Sequence, residues 1–306
     1  DTLTSTEALD LKEIPKDLLI VGGGVIGLEF AHIYGGLGTK ISIVEMLSNI
    51  LPGEDREVSK KLQQILTKKG LSVFTGSVVK SIERNKGNYT AWINTPGGGK
   101  KIPFDKILIC IGRVPNSTGI GLEKAGVKVD KKGGIKVNAQ MQTNISNVYA
   151  AGDVIGGYCL AHVAQREGEI AAENAMGQPS DINYRSVPRF VCSSPEVASV
   201  GLSEEEAHQK GYLIKVGRFP FVGNGKALVL GESEGFVKII SDAKSEEILG
   251  VHIIGPQATN LIAEATLAIN LECTLNEIID TIHAHPTLSE VLREASLGAK
   301  GRAIHI

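Results

Sequence analysis

An α/β fold is what this sequence predicts, closing in a region of antiparallel α+β type. Three observations predict it. Two strand-length apolar runs, Leu18-Leu19-Ile20-Val21 and Ile41-Ser42-Ile43-Val44, flank a segment from 28 to 37 whose apolar residues recur at helical spacing. Glycine makes up 36 of the 306 residues, about 12% against a typical value near 7%, and aromatic residues only 5%, which suits many βα turns better than an all-β chain. From residue 184 onward the alternation stops, and short Pro-bounded strands and capped helices replace it.

At 306 residues the chain has room for about two domains, or three small ones. A formal net charge of −2 gives no electrostatic case for nucleic acid or an anionic membrane. The longest apolar runs are strand-length, too short to span a bilayer. The start Thr2-Leu3-Thr4-Ser5-Thr6 has no signal-peptide pattern, so a reducing soluble compartment is expected: the cytoplasm, or the mitochondrial matrix in a eukaryote. Cys110, Cys159, Cys192 and Cys273 stand far apart, with no CxxC or CxxxxC and no metal-ligand spacing. Each is expected to be a small buried apolar residue, and no metal is expected.

In chain order, residues 1–14 are polar and read as a linker closed by Pro15. The strand 18–21 runs into Gly22-Gly23-Gly24-Val25-Ile26-Gly27, the helical pattern follows, and the second strand ends at Glu45. That order is a dinucleotide-binding βαβ unit. Gly22 permits the tight turn, Gly24 lets the backbone approach a pyrophosphate, and Gly27 lets the helix lie close to the strand. The helix N-terminus offers free N–H groups to the phosphates. Glu45, 18 positions beyond Gly27, is placed to accept hydrogen bonds from the adenosine ribose, and its charge repels a 2′-phosphate, so NAD is expected over NADP.

Residues 55–69 form an amphipathic helix with Val58, Leu62, Ile65 and Leu66 on one side, stopped by Gly70. A short strand at 71–74, a hairpin of 78–84 with 88–94 around Asn85-Lys86-Gly87-Asn88, a turn at 95–99 and a buried parallel strand at 106–111 complete this region. Strands are expected at 135–137 and 148–151, the latter delivering Gly152-Asp153, then a helix over 161–176. The last region carries strands at 190 and 197–200, a helix at 204–210, a strand pair at 235–240 and 248–254, and helices at 258–271 and 275–282, the second with a Thr274/Glu277 capping box.

The sharpest chemical feature is His283-Ala284-His285-Pro286-Thr287-Leu288-Ser289-Glu290. His285, followed by proline and with a carboxylate five positions on, fits a general base whose tautomer Glu290 sets. The competing reading is structural: Thr287 and Glu290 fit a capping box, leaving Glu290 simply to close a helix.

Taken together, the GGGVIG turn leading to Leu28-Glu29-Phe30-Ala31, Gly112-Arg113-Val114-Pro115-Asn116, Tyr149-Ala150-Ala151-Gly152-Asp153 and His285 to Glu290 resemble, in order and over nearly the whole chain, the pyridine nucleotide-disulfide oxidoreductases. The resemblance implies a Rossmann-like NAD-binding domain (15–116), a central FAD-domain segment (117–183) and an α+β dimerisation domain (184–306). It also implies roles. Glu29 lies near the nicotinamide, Val78 lines the adenine side and Gly112 offers a backbone contact to NAD. Asp153 binds the ribityl and pyrophosphate part of FAD, and Cys159-Leu160-Ala161-His162 runs beside the flavin; Cys159 stands where the family usually has Met. His285 and Glu290 form the acid/base dyad, serving the other subunit of a homodimer.

Within the family, Glu45 speaks against the NADP-dependent reductases, and the lack of cysteine after Cys273 against mercuric reductases. That leaves the branch that oxidises dihydrolipoyl groups on subunits of 2-oxo-acid dehydrogenase complexes or the glycine cleavage system. Members begin with an FAD domain bearing a first GxGxxG and a CxxxxC disulfide, neither of which occurs here, so the expectation is a C-terminal portion, inactive alone, from a truncated, cleaved or naturally split enzyme. Two alternatives are a non-enzymatic dimerising or docking module and another NAD-dependent flavoprotein disulfide reductase.

Overall fold

The first strand lies where the sequence suggested a linker. In a computed structural model describing residues 2–85 and 88–305, β1 (Thr2–Leu3) and α1 (Ser5–Leu9) belong to the first sheet region. β1 pairs in parallel with residues 107 and 108. Leu3 and Ala8 are buried, and Thr4 and Glu7 close a capping box on α1. Two apolar anchors and one cap suffice to order a segment whose composition is otherwise polar.

β2 (Asp17–Val21), α2 (Val25–Gly36) and β3 (Lys40–Val44) follow as the βαβ pattern requires. α3 (Arg56–Lys68) is N-capped by Asp55 and buries the apolar side read from the sequence. Next come β4 (Ser72–Phe74), β5 (Val78–Asn85), β6 (Asn88–Thr95), β7 (Gly98–Phe104) and β8 (Lys106–Ile109). The tip of the expected hairpin turn, Lys86-Gly87, lies outside the described residues. β8 stops two residues earlier than the apolar run suggested, and Ile111 is exposed. The parallel sheet has the order β1-β8-β2-β3-β4, and β5-β6-β7 form a separate antiparallel sheet. Alternation along β2 divides its sides: Leu18 and Ile20 pack with Leu28, Phe30 and Leu62, while Leu19 packs with Ala91, Ile93 and Phe104 of the small sheet. Covered on both faces, β2 reads as a continuous apolar run.

The chain divides into two units, Asp1–Ile111 with Pro188–Ile306, and Gly112–Val187. In the second unit the expected strands at 135–137 and 148–151 do not form ladders. Only the bridges Val129 to Ile135 and Gln142 to Tyr149 appear, and turn bonds such as Ile135 N–H to the Val154 carbonyl (3.0 Å) and Ala150 N–H to the Met141 carbonyl (3.0 Å) satisfy the backbone. Apolar runs of three or four residues are as compatible with such turns as with strands. α4 (Ala161–Ala175) forms as predicted, ending at Gly177 with φ +78°.

The remainder of the first unit is an antiparallel sheet with helices on it. β9 (Arg189–Val191), β10 (Glu196–Gly201), α5 (Glu204–Gln209), β11 (Ile214–Pro220), α6 (Gly225–Leu230), β12 (Phe236–Asp242) and β13 (Ile248–Gly255) precede α7 (Ala258–Asn270), α8 (Leu275–Asp280) and α9 (Glu290–Ala299). The sheet order is β11-β12-β13-β10-β9. Phe219, Ile239, Val251 and Ile253 form its core with Ile262, Val291 and Leu292 of the helices. β11 and α6 carried no clear sequence signal, because Lys215, Gly217 and Arg218 blur the alternation of the strand and α6 is only six residues long.

The two parts of this unit share one core and one buried charge cluster. Val191, Val197 and Ile254 pack with Leu18, Phe30 and Ile65. Lys238 of β12 places Nζ 3.0 and 2.9 Å from the two oxygens of Asp55, the α3 cap, with Asp55 fully buried and Lys238 2% exposed. Glu204 and Glu57 complete the surroundings of the ammonium.

Candidate functional site

Parallel register brings the C-terminal ends of β2, β3 and β8 to one edge. Val21 stands opposite Val44 and Ile109, so Gly22, Glu45 and Cys110 leave the sheet together. At that edge Gly22 adopts φ +110°, and a Cβ there would lie 2.2 Å from the Cys110 carbonyl oxygen. A Cβ on Gly27 would lie 2.1 Å from the Gly22 carbonyl oxygen. Neither position tolerates a side chain. Gly24 differs: it is the N-cap of α2, no side chain caps that helix, and a Cβ there meets nothing within 4 Å. A helix N-terminus with uncapped N–H groups beside open space fits a pyrophosphate.

Glu45 is not a solvated strand end. It is 7% exposed; its Oε2 accepts the Gly23 N–H (2.7 Å) and its Oε1 the Leu47 N–H (2.7 Å). The carboxylate thus stiffens the glycine turn, and each oxygen retains a lone pair that a ribose hydroxyl could use. Glu29, on α2, accepts the Cys192 N–H (3.0 Å) from the end of β9, which fixes its carboxylate from a part of the chain 163 residues away. Val78 opens β5 and is exposed.

The remaining predicted cofactor residues lie in the second unit. Gly112 has φ +126°. Asp153, in a short 3₁₀ turn spanning Gly152–Ile155, is half-exposed, and its Oδ2 lies 3.7 Å from Arg113 Nε. Buried Glu167 of α4 orders this turn: Oε2 accepts the Gly152 N–H (2.7 Å) and Oε1 the Tyr184 hydroxyl (2.6 Å). Partly desolvated and facing that carboxylate, the Tyr184 phenol is a far weaker acid than a free tyrosine. Cys159 has φ +51°, Leu160 is the N-cap of α4 without a side-chain cap bond, Ala161 is its first residue and His162 is half-buried. A 15-residue helix starting with bare N–H groups beside Asp153 suits a flavin nucleotide's polar tail.

The cysteine expectation needs correcting. Cys110 and Cys273 are half-buried, but Cys159 and Cys192 are exposed, and all four are free thiols. Cys159 sits in a left-handed turn and Cys192 just beyond edge strand β9, both outside any core. Burial pushes the Cys110 thiol up to about 11, well away from a reactive thiolate.

His285 and Glu290 meet on the loop between α8 and α9. His285 Nδ1 lies 2.9 Å from Glu290 Oε1, while Oε2 accepts the Thr287 N–H (2.8 Å). One carboxylate thus makes the contact a dyad needs and half of the expected capping box; the full box does not form, because the N-cap of α9 is Ser289 and the Thr287 hydroxyl donates to the Ala284 carbonyl (2.7 Å) instead of capping. Burial raises the Glu290 carboxyl, but the Thr287 N–H and His285 outweigh it and hold the group below the usual range, ionised at neutral pH. An ionised carboxylate only accepts, so Nδ1 carries the proton and Nε2 is left to exchange one. The imidazole is 78% exposed beside a cleft of about 300 Å³ that Phe219, Asn224, His283 and His305 also line.

Sequence reasoning missed several residues here. Asn224, the cap of α6, donates through Nδ2 to the Thr287 carbonyl (3.0 Å) and steadies the loop. Glu264 of α7 pairs with His283 (2.9 Å), and buried Glu294 with His305 (3.2 Å). None shares a local motif with its partner, so only the folded chain reveals them. A larger cleft of about 1060 Å³ runs along α3 past Arg56, Lys60 and Glu204 and includes none of the predicted residues. Among the described residues, no group of three or more His, Cys, Asp or Glu is placed to hold a metal ion, and no helix is long and apolar enough to cross a membrane.

Comparison with known proteins adds to this geometry. Residues 1–168 match the family model described as pyridine nucleotide-disulphide oxidoreductase, and residues 187–296 the model for the dimerisation domain of that family. A dihydrolipoyl dehydrogenase of Thermus scotoductus is 47% identical over 100% of this chain and 67% of its own length, and one from Bacillus subtilis 48% identical over 99% and 64%. The chain thus spans about two thirds of the curated relatives it matches. Among solved structures, LpdA from Mycobacterium tuberculosis has a TM-score of 0.87 at 30% identity, covering 96% of this chain and 64% of that one. The HOCl-induced flavoprotein disulfide reductase RclA from Escherichia coli has a TM-score of 0.88 at 28% identity, covering 96% and 67%. With the glycine turn, the Gly-Asp turn and the His-Glu loop in family order, and both family models matched along its length, the chain belongs to the pyridine nucleotide-disulphide oxidoreductase family.

Proposed function

We propose that the chain forms the NAD-binding, flavin-contacting and proton-transferring portion of a dihydrolipoyl dehydrogenase that oxidises dihydrolipoyl groups to lipoyl groups. The observation that carries the reading is the 2.9 Å contact of His285 Nδ1 with an ionised Glu290, which leaves Nε2 as a proton acceptor on an accessible loop. Support comes from identities of 47% and 48% to dihydrolipoyl dehydrogenases over essentially the whole chain.

In this proposal Gly22, Gly24 and Gly27 hold the NAD pyrophosphate on the N-terminus of α2, Glu45 takes the adenosine ribose, and Glu29, Val78 and Gly112 contact the rest of the dinucleotide. Asp153, Cys159, Leu160, Ala161 and His162 hold FAD. The bound cofactors supply the redox chemistry, an electron pair passing from the dithiol through the flavin to nicotinamide. His285 Nε2 takes the proton of a dihydrolipoyl thiol as the thiolate forms, and Glu290 stabilises the resulting imidazolium and keeps its ring in place. The 184–306 region makes a homodimer in which each His285 serves the partner's cleft, and lipoyl-bearing subunits of a 2-oxo-acid dehydrogenase complex or the glycine cleavage system deliver the substrate, in the cytoplasm or mitochondrial matrix. The four cysteines lie too far apart in sequence to make a CxxxxC pair, so the exchanging disulfide comes from outside these residues.

The test supplies residues 1–306 with a CxxxxC-bearing FAD segment and follows NAD⁺ reduction by dihydrolipoamide. Turnover is expected only with both parts present, and His285→Gln is expected to lower kcat by about 10²- to 10⁴-fold with NADH affinity unchanged. Turnover by these residues alone, or full activity of the variant, overturns the proposal.

A further inference from the structure

His283 precedes the dyad by two residues and has a carboxylate of its own. Its Nε2 lies 2.9 Å from Glu264 Oε1 on α7, and its Nδ1 lies 3.0 Å from the Thr281 carbonyl oxygen. Its side chain is 5% exposed. A neutral imidazole carries one N–H, so either tautomer would set a bare nitrogen lone pair against an oxygen acceptor. Only the imidazolium donates to both. The hydrogen bond it donates to Glu264, ahead of the opposing effect of burial, holds the group above the usual histidine range.

The pair is tied to the neighbouring dyad through very little chain. Glu264 belongs to a 13-residue helix packed into the core of the antiparallel sheet, so it is a fixed post. From His283 the backbone reaches Ala284, whose carbonyl holds the Thr287 hydroxyl, and Thr287 in turn gives its N–H to Glu290. The charged groups around His283 are Glu264 from α7 and Arg293 from α9, whose Nε donates to the Ile279 carbonyl (3.0 Å). Asp280 of α8, Glu290 and Glu294 of α9, and the imidazoles of His285 and His305 complete the cleft. Arg293 opposes the charge on His283, and Glu264, in direct contact, outweighs it.

Resting on the function proposed above, we infer that the His283–Glu264 ion pair is a positioning clamp that fixes the 281–287 loop against α7 and so sets where His285 Nε2 meets its dithiol. His283 gives no proton to the substrate and no bond changes at it. As the medium becomes alkaline enough to neutralise the imidazole, one of its two hydrogen bonds is lost and the loop loosens. Turnover then declines on the alkaline side.

Histidine-selective NMR of the purified chain tests the clamp without reference to activity. The titration midpoint of His283 is expected above the usual histidine value, with both ring nitrogens protonated below it, and to fall in Glu264→Gln. In the flavin-loaded holoenzyme, Glu264→Gln is expected to lower kcat about tenfold at alkaline pH with KM within about twofold, and to move the alkaline limb to lower pH. Glu264→Asp restores most of the rate, and His283→Lys, which keeps a cation against Glu264, exceeds His283→Ala. A His283 midpoint at or below the usual histidine value overturns the inference, as does a Glu264→Gln pH profile matching the wild type. Full turnover in His285→Gln, with the His283 titration intact, overturns the proton-acceptor reading and the positioning role with it. Loss of turnover in His285→Gln beside unchanged Glu264→Gln removes the positioning role alone.

Discussion

A methyl group added at position 24 and one added at position 27 meet different surroundings. At Gly27 it collides with backbone 2.1 Å away, so the strand and α2 must separate; at Gly24 it enters open space at the mouth of the turn. Gly27→Ala is therefore expected to lower the melting temperature and abolish NADH binding together. Gly24→Ala is expected to change stability by about 1 kcal/mol or less, yet to weaken NADH binding by tenfold or more in a fluorescence titration, because the added carbon occupies the open space that the proposed function gives to phosphate. Equal stability losses in the two variants would contradict this division. Glu45 carries a related expectation. Glu45→Gln weakens the grip on Gly23 and Leu47 and, on the proposed function, removes the charge set against a 2′-phosphate, so NADH affinity is expected to fall while NADPH affinity rises relative to it. The tight packing at Gly22 and Gly27 and the His285–Glu290 contact were legible in the sequence, since each lies within a handful of residues in one motif. Glu45's grip on Gly23 and the Glu264–His283 contact were not, since separations of 22 and 19 residues leave no local pattern to read.

At the scale of elements, the N-terminus of α3 and the strand β12 are joined by the buried Asp55–Lys238 pair. Removing the lysine strands the Asp55 charge away from water, which costs about 3–5 kcal/mol. Lys238→Ala is expected to lose stability of that order in denaturant unfolding, and Asp55→Asn combined with it to recover part. Burial and its opposing charges work against each other at Asp55: desolvation raises its pKa, but His252 and Lys238 outweigh that and hold it low. A lowered carboxyl pKa stabilises the fold above the unfolded-state value near 4 and loses that contribution as pH falls through the folded value. Without Lys238 the stranded carboxylate welcomes a proton, so the melting-temperature gap between wild type and Lys238→Ala is expected to narrow on acidification. The long periodic elements α3, α4, α7 and β13 were plain in the sequence. β1, β11 and the turn-bonded stretches at 135–137 and 148–151 were not, because two to seven residues can satisfy their backbone in a sheet or in turns, and tertiary partners decide which.

For the whole molecule, the match of residues 187–296 to a dimerisation domain predicts a concentration-dependent dimer in sedimentation velocity, and a strictly monomeric boundary at micromolar concentration would count against it. The order of regions was legible because each announces itself by a different punctuation of glycine and proline, whereas the shared core of residues 1–111 and 188–306 was not, since Val191, Val197 and Ile254 look like ordinary strand residues. That shared core constrains how such a protein can be recombined. A chimera joining the N-terminal half of this chain to a foreign C-terminal half without a lysine in the place of Lys238 leaves Asp55 unpaired, and grafts carrying both ends of the ion pair are the ones expected to express as folded protein. Shuffling across this boundary is thus filtered by one inaccessible ammonium group as much as by any surface fit.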